Sequence, residues 1–94
     1  MRKIELVPKV TPESAQALWY EMEAEIEAAG NRTTLVLDLR HVRHLSAAAI
    51  QVLIVARERL HKLGRTFTLA SPSDETIAAL RQMGALPLFE EILE

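Results

Sequence analysis

Residues 35–64, LVLDLRHVRHLSAAAIQVLIVARERLHKLG, constrain the fold most, because they join a short apolar run to a longer segment of helical periodicity. Residues 33–39 are apolar at the successive positions Leu35, Val36 and Leu37, the pattern of a central strand covered on both faces. Residues 40–45 form a connection, Ser46 supplies a hydroxyl N-cap, and the helix that follows runs to Leu63 and stops at Gly64. Wound at helical pitch, this segment puts Ala49, Leu53, Ala56, Leu60 and Leu63 on one stripe, its core face. Ala47, Gln51, Ile54, Glu58 and Lys62 fall opposite, with Ala48 and Val55 beside them. Strand-to-helix junctions that carry chemistry place a nucleophile, a glycine cradle or an acid at the turn. Here the turn runs into Ala47, Ala48 and Ala49, which points to binding and not to reaction.

The flanking sequence repeats the alternation of strand and helix. Ile4, Leu6 and Val7 give a short edge or near-edge strand closed by Pro8, and Thr11-Pro12-Glu13 combines a cap, a first-turn proline and an acid favoured by the helix dipole. The helix it starts carries Ala15, Leu18, Met22, Ile26 and Ala29 as its stripe, ends at Gly30-Asn31, and holds Trp19 and Tyr20 as packing residues at the core edge. Residues 66–70 read as another strand, and Ser73 caps a third helix with Ile77, Leu80 and Met83 inward and Gly84 at its stop. The last segment, LPLFEEILE, fits a helical turn or a final strand through Ile92 and Leu93, and periodicity leaves both open. The order predicts one α/β domain over residues 1–94, with a small mixed or parallel sheet and helices packed on it.

Composition narrows the partners. Eleven Lys and Arg against 13 Asp and Glu leave a formal charge of -2, too balanced for a nucleic-acid or anionic-lipid binder. There are no cysteines, so disulfides and thiolate chemistry are excluded, and the chain suits a reducing cytoplasm. The longest uninterrupted apolar run, at 52–56, is too short to insert into a membrane. A cytoplasmic protein that binds other proteins, with no cofactor, is the expectation.

VLDLRHVRHLSAAAIQVLIVARERLHKLGRTFTLASPSDETIAALRQMGAL resembles the STAS domain of bacterial anti-sigma factor antagonists, a likeness that covers about residues 33 to 93. Leu37-Asp38-Leu39 matches the family's Leu-Asp-Leu-like triplet, Val42 its valine and Leu45 the following hydrophobic position. Ser46 then stands where the family has Asp, Ala47 at the phosphorylatable serine, Ala48 at the second serine, Ala49 at glycine and Ile50 at leucine. In the antagonists a kinase adds a phosphate at this helix N-terminus, and roughly two negative charges detach the partner. Ala47 has no oxygen to accept one. The segment is also similar to short STAS proteins of chemotaxis and signalling operons, and the chain is similar in length to the small STAS subunit of a lipid-transport ABC transporter.

The resemblance implies a non-catalytic protein-binding module in bacterial signal transduction. Its partner would be an anti-sigma-type kinase or a chemosensory or other regulatory protein, and the alternative is an accessory subunit of that transporter. Docking is expected through Arg40, His41, Arg43, His44, Ser46, Ala47, Ala48, Gln51, Ile54 and Val55, the small alanines allowing close approach. The same apolar helix face is compatible with a homodimer. Ser46 reads as a cap and not as a phosphorylation site, and Asp38 as a residue that fixes the loop and not as a phospho-acceptor. His41 and His44 lack the further ligands a metal needs, and Arg40 and Arg43 repel a cation, so no metal site is expected. No catalytic motif is present.

Overall fold

The computed structural model describes residues 2–28 and 34–94. Among the described residues five short strands and four helices follow in the order β1 (Arg2–Glu5), β2 (Lys9–Val10), α1 (Pro12–Ala28), β3 (Leu35–Asp38), β4 (His44–Leu45), α2 (Ala47–Lys62), β5 (Phe67–Ala70), α3 (Asp74–Gln82) and α4 (Leu86–Phe89). A 3-10 turn, Glu90–Ile92, follows α4. This is a mixed α/β fold with small parallel sheets.

The main sheet has the order β1-β3-β5, and both pairings are parallel. Register puts Ile4 beside Leu37 and Leu37 beside Leu69, so the apolar face is continuous across three strands. Alternate residues point to opposite faces, and the second face, with Val36 half-buried, is less completely covered than an apolar run on both sides suggests. β3 is central and β1 is an edge, as the sequence predicts. The predicted helix end at Ala29 and its Gly30-Asn31 cap lie outside the described residues.

A second parallel pair, β2 with β4, sets Val10 beside Leu45. It is prepared by Pro8, between β1 and β2, whose carbonyl accepts both the Arg43 N–H at 2.7 Å and the His44 N–H at 3.0 Å. The Ser46 N–H then donates to the Val10 carbonyl at 3.0 Å. The chain entering α2 is thus pinned to the segment before α1.

The core is formed by α1 (Ala15, Leu18, Met22, Ile26), the sheet and the inner side of α2, where Ile50 joins Ala49, Leu53, Ala56 and Leu60. Trp19 packs against it half-buried. The Arg59 guanidinium lies 6.0 Å from the Trp19 ring and 3.3 Å from Glu23, which ties α2 to α1. Tyr20, by contrast, is 59% exposed, and its hydroxyl accepts from Gln16 one turn before it.

Two predicted core positions point outward, for one reason. α2 and α3 both end in a Schellman motif: the Gly64 N–H reaches the His61 carbonyl and the Arg65 N–H the Leu60 carbonyl, as Gly84 reaches Arg81 and Ala85 reaches Leu80. Leu63 and Met83 are the cap residues, where the chain already turns off the helical path, and they are 45% and 50% exposed. The last segment takes the helical reading and forms no strand through Ile92, which lies in the 3-10 turn. It is helical over α4, burying Phe89 completely, and then Leu93 makes a single parallel bridge to Leu69.

Candidate functional site

Asp38 ends β3 and is 3% exposed. Its Oδ1 accepts the Arg40 backbone N–H at 3.0 Å and lies 3.3 Å from Arg40 Nε, while its Oδ2 lies 3.4 Å from Lys3 Nζ. The backbone donor, seconded by the two cations, holds its carboxyl below the ordinary carboxylate range despite burial. Oδ1 shapes the turn, which is how an Asx turn fixes the chain that follows it, while Oδ2 ties the strand end to Lys3 of β1.

From that turn the loop runs outward. Arg40, His41, Arg43 and His44 are all exposed, with Val42 and Leu45 buried between them as anchors. The basic run is partly neutralised within the fold, because Arg40 is bound to Asp38 and Arg43 Nη1 lies 3.3 Å from Glu75 Oε2 at the start of α3. The backbone N–H of Glu75 itself, and after it Arg43, hold the Glu75 carboxyl below its usual range. His41 and His44 remain, and pairing of β2 with β4 brings the exposed Lys9 beside His44. Among the described residues no three His, Cys, Asp or Glu side chains cluster as a metal site.

The loop is also latched from below. The Ser73 hydroxyl, the cap of α3, accepts the Thr76 N–H at 3.1 Å and donates to the Val42 carbonyl at 2.7 Å. Sequence reading found the cap, but the bond to Val42 spans 31 positions and leaves no local signal.

Ser46 is the N-cap of α2, its Oγ accepting the Ala49 N–H at 3.2 Å. Beyond it Ala47, Ala48 and Gln51 are exposed, and Val55 is 45% exposed one turn further on. Ile54 departs from the predicted outward face: it is half-buried and packs against the core. At helical pitch it lies on the flank beside Ile50, so the open strip is Ala47, Ala48, Gln51, Val55 and Glu58. The strip is smooth and only weakly apolar, with Val55 its one large hydrophobic side chain.

Residues 2–88 match the family model described as "Mlab, STAS domain". The chain belongs to the STAS-domain family. The match takes in β1 and α1, ahead of the region where the sequence alone carried the likeness. No curated protein and no solved structure shows significant similarity to the chain. STAS domains are in general protein-interaction modules of the anti-sigma-antagonist kind, and they generally act by binding and not by catalysis. Ala47, which the sequence likeness sets at the family's phosphorylatable serine, lies exposed in the first turn of α2. Among the described residues no helix is long and apolar enough to cross a membrane.

Proposed function

We propose that this STAS domain is a non-catalytic docking module of bacterial signal transduction. It engages a kinase or regulator of the anti-sigma or chemosensory type through the 40–45 loop and the N-terminal half of α2. One observation carries the reading: Ala47, Ala48, Gln51 and Val55 form an open strip, opened by two alanines, beside an exposed loop rich in His and Arg, on a fold whose members bind proteins. Short side chains let a partner backbone approach, and Val55 supplies apolar area to bury. Ala47 cannot be phosphorylated, and the Ser46 hydroxyl is occupied as a cap, so control of docking lies elsewhere.

The test is binding of purified candidate partners encoded beside this gene. Gln51→Arg and Val55→Glu each weaken capture at least tenfold if the strip is the interface, and a partner held equally by both variants places docking on another face. Incubation with the cognate kinase and ATP leaves the intact mass unchanged; phosphate mapped to Ser46 overturns that part of the reading.

A second reading is favoured by the name Mlab in the matching description, which we take to be that of the small STAS subunit of the lipid-transport ABC transporter. In that case the partner is the transporter ATPase. Stable co-purification with an ABC ATPase, and none with a kinase or chemosensory protein, decides for it.

A further inference from the structure

The geometry points to a second interaction surface, the free edge of β1, whose partner is another copy of this chain paired antiparallel about Ile4. The inference is independent of the α2 surface. Among the described strands β1 has a neighbour on one side only. The Leu6 N–H donates to the Asp38 carbonyl at 3.1 Å, so Ile4 and Leu6 turn their backbone groups toward β3, and Lys3 and Glu5 turn theirs outward. An outward row of this kind templates a further strand.

The sequence of the edge selects the strand. Laid antiparallel on a second copy with Ile4 opposite Ile4, Lys3 falls opposite Glu5 of the second copy and Glu5 opposite its Lys3. These are the residues whose outward N–H and C=O groups would make the hydrogen-bonded pairs, so backbone pattern and charge pattern agree in one register. The arrangement is two-fold symmetric, as an isologous dimer requires. It also resolves an imbalance in the single chain. Glu5 lies in register beside Asp38, a second acid, and makes no ion pair among the described residues, while Lys3 is drawn to Asp38 at 3.4 Å. The Lys3 ammonium has three donors, enough to keep Asp38 and take Glu5 of the second copy. Beside the edge lie the exposed Val7 and a hollow of about 110 Å³ between Leu6, Val10 and Leu18, apolar area that a second copy covers. So short an edge makes a small interface of the weak, reversible class.

Sedimentation velocity over a wide concentration range, at low and at moderate salt, tests this. The wild-type chain dimerises reversibly, more strongly at low salt. Lys3→Glu and Glu5→Lys each set like charges opposite each other twice, and each raises the dimer dissociation constant about tenfold or more. An equimolar mixture of the two variants restores opposite charges at both pairs and regains the dimer, a rescue that general destabilisation of either variant would not produce. A wild-type chain that stays monomeric throughout, a dimer indifferent to both substitutions, or a mixture that does not recover overturns the inference.

Discussion

Three side chains fix the loop that presents the candidate site, and each has a separable energetic role. Ser46 makes one capping bond, so Ser46→Ala lowers stability by about 1 kcal/mol. Ser73 makes the same kind of bond and a second one to the Val42 carbonyl, and Ser73→Ala costs more, about 2 kcal/mol, because it also leaves that carbonyl without its donor. Urea unfolding of the two variants side by side checks the order. Asp38 adds a pH dependence. Its folded carboxyl is held below the ordinary value, first by the Arg40 N–H and then by Arg40 and Lys3. Its contribution is therefore complete above the ordinary aspartate range and disappears as pH falls through the lowered folded value. Asp38→Asn keeps an oxygen for the Arg40 N–H but removes the charge, so the difference in urea midpoint between wild type and variant is largest near neutrality and shrinks on acidification. A difference that does not shrink assigns the acid sensitivity to other carboxylates. Asp38's role was readable from its place at a strand end before a turn. The latch from Ser73 was not, because a hydroxyl's second partner is set by tertiary packing.

The elements were legible in proportion to how local their determinants are. The caps at Ser46 and Ser73, the stops at Gly64 and Gly84 and the central position of β3 follow from neighbouring residues, and they stand where the sequence puts them. What periodicity misjudged is where a stripe ceases to apply. Leu63 and Met83 continue the inner spacing of their helices, yet each sits on the cap, after which a left-handed glycine redirects the chain. Ile54 shows the complementary error, since a face drawn with a helical wheel has no sharp border and a long side chain at its margin folds back on the core. The two helix ends carry a paired prediction. Gly64 and Gly84 have φ of +68° and +70°, and a Cβ at either would meet nothing within 4 Å, so the cost of alanine is conformational alone. Gly64→Ala and Gly84→Ala each lower stability by about 1 kcal/mol, and asparagine at either position, more tolerant of the left-handed region, costs less. A much larger loss in thermal or chemical unfolding means packing around these turns that an empty Cβ site does not show.

At the scale of the whole molecule the least legible part is the one that closes it. LPLFEEILE carries no sustained period, because it changes from helix to 3-10 turn to a single bridge within nine residues, and each piece is too short to register. Its weight is nonetheless large. Phe89 is completely buried, and the Glu94 N–H donates to the Leu69 carbonyl at 2.9 Å, so the segment covers the side of β5 away from β3. β5 is thereby shielded, which leaves β1 as the open edge of the main sheet among the described strands. A domain of this size is stable by roughly 5–14 kcal/mol, and Phe89→Ala removes about 3–5 kcal/mol by emptying a core site. The expected outcome is a drop in melting temperature of well over 10 °C, since each kcal/mol shifts a chain of this length by about 4–8 °C. Phe89→Leu, which keeps much of the volume, loses less than half as much. If Phe89→Ala melts within a few degrees of wild type, the segment does not close the core, and the far side of β5 competes with β1 as an edge.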